Sequence, residues 1–146
     1  MVNSVGNIHH TLIREPDSLP NDISIIETNN LFDTVADLIA DGKLIAWCNE
    51  RAESGPRALG NRSLLASPII PEMPDRINGR IKHREAFRPF APAILEEKYS
   101  EWFDGVKPLD YMLEIRYIKE DKRYIVPGIV HSDGSARVQI VSQNNT

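Results

Sequence analysis

The sequence lacks the features of a secreted, membrane-bound or disulfide-stabilised protein. Its single cysteine, Cys48, cannot form a disulfide within the chain. The apolar residues at 44–47 predict that this thiol is buried, in the reducing setting of the cytoplasm. No apolar run approaches the ~18–20 residues that a membrane-spanning helix needs, and the polar first residues contain no apolar core of a secretory signal. We therefore expect a cytoplasmic protein without a membrane partner.

Several familiar catalytic motifs are also missing. No spacing of His, Cys and carboxylates is typical of a zinc or iron site, so we expect no metal-binding residues in this chain. His9 and His10 lie in a polar segment and are interpreted as solvated, and His83 and His131 are isolated. No Ser-His-Asp or Cys-His arrangement is visible. The chain contains neither a Walker loop nor a Gly-x-Gly-x-x-Gly turn.

Positive charge is concentrated in one segment of an otherwise acidic chain. The formal net charge is −4, yet residues 51–88 contain eight Arg or Lys side chains and four acids. Seven of those eight cations are Arg, whose planar guanidinium grips carboxylate or phosphate oxygens. This distribution favours a small anionic ligand over a long polyanion, so nucleic acid is not an expected partner.

The order of elements predicts an α/β or α+β domain with a mixed sheet. Residues 1–29 are interpreted as a polar arm with at most one short strand at 23–26, and residues 30–146 as the domain. Asn29 or Asn30 caps a helix over 31–39 that ends at Asp41-Gly42. The following elements are predicted to be a buried strand 43–48, a strand 64–66, a helix 74–82 with Met73, Ile77 and Ile81 on one face, a strand 90–95, a helix 96–103, a strand 111–118, a turn 132–135 and a last strand 136–141.

The loop of residues 55–63 has the chemistry of an anion cradle. Two glycines allow tight turns that bring backbone N–H groups close to a ligand, and Arg57, Arg62 and Ser63 add charge and donors. The alternative is a salt-bridged turn with no ligand.

Two further basic elements can likewise be interpreted either as ligand-binding or as having no ligand. Lys82, His83, Arg84 and Arg88 lie within seven residues, where the interleaved Phe87 and Phe90 predict partial packing; the alternative is a solvated basic face. Arg137 lies in a strand whose Val138 and Ile140 face the core, so it points to the opposite side. It either faces a ligand or is simply exposed.

Four motifs together resemble one family. They are Gly-Pro-Arg-Ala-Leu-Gly-Asn-Arg-Ser at 55–63, Asp-Arg-Ile-Asn at 75–78, Lys-His-Arg-Glu-x-Phe-Arg-Pro-Phe-Ala-Pro at 82–92 and Asp-Gly-x-Ala-Arg-Val-Gln at 133–139. The chain is similar over residues 31–141 to the C-terminal domain of the carbamoyltransferase family. That family includes nodulation protein U and the O-carbamoyltransferases of antibiotic biosynthesis.

The resemblance implies a YrdC-like fold, a mixed twisted sheet with flanking helices. It implies that this domain uses carbamoyl phosphate and ATP, with Mg²⁺ on the ATP phosphates, to form carbamoyl adenylate. A separate Kae1-like metal-binding domain or subunit then transfers the carbamoyl group to a hydroxyl. By resemblance, Arg57, Lys82 and Arg137 match the positions that hold the phosphate and carbamoyl-adenylate groups, and we predict that they are catalytic. The wider set that we expect to contact phosphate or nucleotide is Arg57, Arg62, Ser63, Lys82, Arg84, Arg88 and Arg137.

Two departures from the family lead to further expectations. Ser54 replaces an apolar residue, and the family's domain continues beyond the Arg-Val-Gln strand. We expect the domain to be incomplete at its C-terminus. An uncovered strand 136–141 then predicts either self-association, with that strand at or beside the contact, or a marginally stable monomer. The alternatives are an inactive fragment that binds nucleotide or phosphate or docks onto a transferase subunit, and an RNA-binding protein like other YrdC-like relatives. We also expect Arg57, Lys82 and Arg137 to converge within about 10 Å of one another.

Overall fold

The computed structural model describes residues 27–142 except 50, 84, 86 and 110. The described residues form two compact units, one ending at Leu65 and the other beginning at Ala66. The predicted strand at 23–26 lies outside the described residues. The boundary predicted between an arm and a domain at residues 29 and 30 stays a prediction.

A single helix, α1 (Leu31–Ala40), opens the described part of the first unit. Asn30 is its N-cap residue, as predicted, but the Asn30 side chain caps no helical N–H and instead donates to the Asp33 carboxylate. The helix ends at the predicted Asp41-Gly42. Gly42 has φ 77°, and the N–H of Lys43 donates to the carbonyl of Leu38 at 2.9 Å. This left-handed ending favours glycine because a side chain is strained there.

The rest of the first unit is an antiparallel hairpin. Strand β1 (Ile45–Cys48) pairs with β2 (Arg62–Leu65), and Cys48 lies opposite Arg62. Because side chains alternate along a strand, one face of β1 is half-buried, where Trp47 lies 6.0 Å from the ring of Phe32. Cys48 falls on the other face and is exposed. The predictions of a fully buried strand and a buried thiol are therefore wrong.

The second unit begins with a helix that changes its winding. Helix α2 (Met73–Ile77), with proline in its first turn as predicted, continues into a π-helix over Asn78–Lys82. Met73 and Ile77 are each 3% exposed, but Ile81 is 48% exposed. A π turn advances by more residues than an α turn, so the side chain that follows it leaves the buried face. The prediction that Ile81 shares that face is wrong.

The remaining elements are short. They are β3 (Ala93–Leu95), a 3₁₀ turn (Glu96–Lys98), α3 (Tyr99–Trp102), β4 (Ile115–Tyr117), α4 (Glu120–Arg123), a second 3₁₀ turn (Pro127–Ile129), β5 (Ser135–Arg137) and β6 (Gln139–Val141). Strands β3 and β6 pair in parallel, and β4 and β5 pair antiparallel. The α+β class is confirmed, with parallel and antiparallel pairings distributed over separate two-stranded sheets.

The predicted strand at 111–118 is correct only for residues 115–117. Tyr111 and Met112 have φ values of 68° and 54°, which place them in a turn. Met112 is buried. The four residues predicted to share one strand face are all exposed, namely Tyr111, Leu113, Ile115 and Tyr117.

The core of the second unit lies between α3 and the last two strands. Six buried residues form it: Tyr99, Phe103, Ile118, Val126, Ala136 and Val138. The rings of Tyr99 and Phe103 stack with centroids 5.5 Å apart. Ala136 and Val138 are at most 1% exposed, and the predicted strand 136–141 is divided into β5 and β6, which pair with different strands. Each strand has one partner within the described residues, so the expectation of an uncovered strand edge stays a prediction. Self-association itself stays a prediction.

Candidate functional site

The loop predicted to bind an anion connects β1 to β2. Its base is closed by Asn49, whose N–H donates to the carbonyl of Asn61 at 2.9 Å. The guanidinium of Arg62 donates through Nη1 to the carbonyls of both Asn49 and Asn61, each at 2.7 Å. The Asn61 side chain reaches back to the carbonyl of Arg51 at 2.9 Å. Arg62 therefore holds the loop together, and its predicted contact with a ligand stays a prediction.

Inside this loop, a carboxylate accepts hydrogen bonds from the backbone. Oε1 of Glu53 accepts from the N–H groups of Leu59 at 2.6 Å and Asn61 at 2.8 Å. The N–H of Gly60 between them donates to the hydroxyl oxygen of Ser63 at 3.1 Å. Three successive amides are thus engaged within the loop. The cradle that the glycines predicted for a ligand is filled here by Glu53 and Ser63.

These contacts change the acidity of Glu53. Partial burial raises the pKa of its carboxyl, but the backbone hydrogen bonds, Leu59 and Asn61 foremost, outweigh this effect. They lower the pKa from 4.5 to about 2. Because N–H donors stabilise the charged form, Glu53 is an anion at any pH near neutrality.

Arg57 occupies the middle of the same loop. Its side chain is half-buried, and among the described residues the structure gives its guanidinium no hydrogen bond or ion pair. Gly55 and Gly60 on either side have φ values of 152° and 115°, which a larger residue adopts only with strain. Among the described residues, the alternative of a salt-bridged turn is therefore not supported at Arg57.

The second basic element follows the π-helix. Lys82 ends that helix and is exposed, with no ion-pair partner in the part of the chain that the structure describes. Arg88 forms a 2.8 Å ion pair with Glu85, and both side chains are 55% exposed. Arg84 lies outside the described residues. Phe87 is 81% exposed, so the packing predicted for it is wrong, whereas Phe90 is half-buried.

A buried amide fixes the position of this basic segment. Asn78, 1% exposed, donates through Nδ2 to the carbonyl of Arg88 at 3.2 Å. The sequence showed Asn78 only as part of a family motif, and neither Asn78 nor Glu53 was predicted to act at the site. A carboxylate shortly before a glycine-containing loop is the signal that could have pointed to Glu53.

The third element is Arg137 in β5. Ala136 and Val138 on either side are buried and Arg137 is half-buried, so its side chain faces away from the core, as predicted. No hydrogen bond or ion pair of its guanidinium occurs among the described residues. The preceding turn is the predicted one: the N–H of Ser135 donates to Asp133 Oδ1 at 2.9 Å. Hydrogen bonds from Ser135, side chain first, lower the pKa of Asp133.

The structure places the predicted site residues in both units. Arg57, Arg62 and Ser63 lie in the first, and Lys82, Arg88 and Arg137 in the second. Their convergence stays a prediction. The three residues predicted to be catalytic share one property, since none has a charged or hydrogen-bonding partner among the described side chains. No group of three potential metal-ligating side chains occurs in the described ranges, and no described helix has the length and apolarity to span a bilayer.

Comparison with known proteins identifies the class. A family described as carbamoyltransferase C-terminus matches residues 36–146, and the chain belongs to that family. It is similar to nodulation protein NolO of Bradyrhizobium diazoefficiens, with 44% identity over 83% of this chain and 23% of that protein. Nodulation protein NolNO of Sinorhizobium fredii is 43% identical over 84% of this chain and 18% of that protein.

A third relative is nodulation protein U of Azorhizobium caulinodans, which is 45% identical over 76% of this chain and 20% of that protein. The chain thus spans about a fifth of the length of the curated relatives that it matches. The family resemblance inferred from the four sequence motifs is confirmed.

Proposed function

We propose that this chain is the carbamoyl-phosphate- and ATP-binding part of an O-carbamoyltransferase, and that it takes part in forming carbamoyl adenylate. Membership of the carbamoyltransferase family supports the reaction class. The single observation that carries the finer proposal concerns the contacts made by the side chains of Arg57, Lys82 and Arg137. Within the described residues these three positive side chains have no partner of the protein's own, which fits a site built for phosphate groups.

The chemistry requires such cations. Hydrolysis of carbamoyl phosphate supplies carbamate and inorganic phosphate, and an oxygen of carbamate then attacks the α-phosphorus of ATP and expels pyrophosphate. During the attack, negative charge accumulates on the non-bridging oxygens. Fixed guanidinium and ammonium groups stabilise that charge without reorganising. Each hydrogen bond to a charged group contributes about 1.5–3 kcal/mol.

The expected cofactor is Mg²⁺, bound with ATP. A divalent cation neutralises phosphate charge and is held largely by the phosphates and water rather than by protein ligands. Arg57, Lys82 and Arg137 would contact the remaining phosphate oxygens. Transfer of the carbamoyl group to a hydroxyl is proposed to belong to a Kae1-like metal-binding domain or subunit outside these 146 residues. We propose that the protein acts in the cytoplasm.

A second candidate is a catalytically inactive fragment that binds nucleotide or phosphate, or docks onto a transferase subunit. The same three cations, which have no partner among the described side chains, would also bind phosphate without catalysing a reaction. An assay of ATP–pyrophosphate exchange that depends on carbamoyl phosphate separates the two. Exchange by the chain that is lost in Arg57→Ala, Lys82→Ala and Arg137→Ala supports the enzyme.

The matched control is Arg80→Ala. Arg80 is an exposed arginine of the π-helix that we do not place in the site, so this variant should retain exchange. Binding of pyrophosphate without exchange would favour the inactive fragment. If neither exchange nor binding is detected, the proposed function is wrong, and retention of labelled RNA on a filter at low salt would then favour the RNA-binding alternative.

A further inference from the structure

We propose that Glu53 is a positioning residue of this site: its carboxylate holds the β1–β2 loop in the conformation that presents Arg57 to an anionic ligand. The assignment of Arg57 as the ligand-binding residue rests on the proposed function. The conformation of the loop does not, since it follows from contacts within the protein.

The Glu53 contacts enclose Arg57. The hydrogen bond from Leu59 N–H to Glu53 Oε1, at 2.6 Å, closes a ring of backbone in which Arg57 is a central residue. The bond from Asn61 N–H to the same oxygen, at 2.8 Å, extends this closure to the end of the loop. A charged acceptor makes stronger hydrogen bonds than a neutral one. Through this one oxygen, Glu53 therefore fixes the backbone N–H groups of Leu59 and Asn61, which follow Arg57 in the loop.

The loop needs such a restraint because of its composition. Gly55 and Gly60 flank Arg57, and glycine has more backbone freedom to lose than any other residue. If the loop moved freely before binding, it would lose conformational entropy when Arg57 bound a ligand, and this cost would weaken binding. Holding the loop before the ligand arrives removes this loss.

An alternative role for Glu53 is competition, in which its carboxylate occupies a backbone site that a phosphate would otherwise take. The remaining contacts of the loop argue for positioning. The amide of Gly60 is engaged by Ser63 at 3.1 Å, and the carbonyl of Asn61 accepts from both Asn49 N–H and Arg62 Nη1. Gly60 and Asn61 are thus tied to the hairpin by these contacts, and together with the bond from Asn61 N–H to Glu53 they hold the backbone that follows Arg57.

The two roles predict opposite results for pyrophosphate binding, measured by calorimetric titration of the whole chain. Under positioning, Glu53→Ala weakens binding by roughly tenfold, the loss of about one hydrogen bond's contribution. Glu53→Gln keeps an acceptor oxygen and restores most of the affinity. Under competition, both variants bind pyrophosphate more tightly, and that result would overturn the proposal.

A double-mutant cycle tests whether Glu53 acts through Arg57. Arg57→Ala combined with Glu53→Ala should bind pyrophosphate no more weakly than Arg57→Ala alone. Two independent losses that multiply would contradict a positioning role. Glu97→Ala is the matched control, because Glu97 is an exposed glutamate with no side-chain partner in the described structure, and it should leave the affinity unchanged.

A readout without ligand separates failure of this proposal from failure of the proposed function. In Glu53→Ala, hydrogen exchange at the amides of Leu59 and Asn61 should accelerate. Nitrogen-15 relaxation at the Arg57 amide should report greater motion, and both effects should be smaller in Glu53→Gln. If wild-type chain binds no pyrophosphate but these changes occur, the proposed function is wrong and the positioning of the loop stands. Unchanged exchange and relaxation would overturn the positioning itself.

Discussion

The guanidinium of Arg123 lies directly against Gly134, so that a Cβ on Gly134 would be 2.5 Å from Arg123 Cζ and 2.8 Å from both terminal nitrogens. Nε of Arg123 donates to the carbonyl of Ile118 at 2.8 Å, and the N–H of Ile118 donates to the carbonyl of Gly134 at 3.0 Å. Arg123, Ile118 and Gly134 thus form one connected set of contacts. Because Gly134 directly precedes β5, this contact sets the start of the strand that carries Arg137.

Gly134→Ala should therefore destabilise the protein. Its φ of 84° is a conformation that costs alanine about 1–3 kcal/mol, and the new methyl group would also displace Arg123 from Ile118. We expect a fall of several degrees in the melting temperature, measured by differential scanning calorimetry.

Gly105→Ala isolates the two causes of this effect. Gly105 has a similar φ of 80°, but a Cβ there would meet no atom within 4 Å. It should therefore show only the conformational cost and a smaller fall in melting temperature than Gly134→Ala. Equal effects of the two substitutions would mean that the contact with Arg123 does not contribute.

Acid titration should identify Glu53 as an unusually strong acid. Its folded pKa of about 2 lies below the ordinary 4.5, so its contribution to stability is complete above pH 4.5 and is lost as the pH falls through about 2. We expect the melting temperatures of wild type and Glu53→Gln to differ most above pH 4.5 and to converge near pH 2. The carboxyl carbon of Glu53, followed by NMR, should titrate near pH 2. A midpoint near 4.5 would contradict the observed backbone contacts.

The sequence correctly predicted those elements whose conformation depends only on neighbouring residues. The helix that follows Asn30 and ends at Asp41-Gly42, and the turn at 132–135, depend on caps and glycine conformations that neighbouring residues determine. The exposure of Cys48 could not be read this way, because an apolar run does not show which face of a hairpin is covered.

Other errors have tertiary causes. The π turn at Asn78–Lys82 moves Ile81 off the buried face, and no residue type in the sequence predicts such a turn. Tyr111 and Met112 adopt positive φ values although their sequence alternates like a strand, and Met112 is buried in this turn, so alternation alone did not predict the backbone. At the candidate site, charge and motif predicted Arg57, whereas the role of Glu53 as an acceptor of backbone hydrogen bonds depends on how the loop folds and was not predicted.

The buried amide of Asn78 gives a third prediction. Its side chain is 1% exposed and joins the π-helix to the carbonyl of Arg88. Asn78→Ala removes a buried hydrogen bond and leaves a small cavity, which together cost about 1–3 kcal/mol of unfolding free energy. Urea denaturation should show a lower midpoint with an unchanged slope. Gly79→Ala, at a neighbouring position with nothing within 4 Å of the new Cβ, should not lower the midpoint. Equal midpoints for wild type and Asn78→Ala would show that the contact is not structural.

The last prediction concerns Arg57, Lys82 and Arg137, the predicted catalytic cations, which have no partner within the described ranges. Sulfate or pyrophosphate should raise the melting temperature of the wild-type chain by mass action, in proportion to how far the anion concentration exceeds its dissociation constant. Arg57→Ala, Lys82→Ala and Arg137→Ala should each reduce that rise. Because these side chains make no described ion pair or hydrogen bond, the same variants should melt without anion at nearly the wild-type temperature.

Arg62→Ala supplies the contrast. Its guanidinium closes the hairpin loop at 2.7 Å from two carbonyls, so this variant should melt at a lower temperature even without anion. If Arg57→Ala and Lys82→Ala also melt several degrees lower without anion, these residues are structural and the site assignment is wrong.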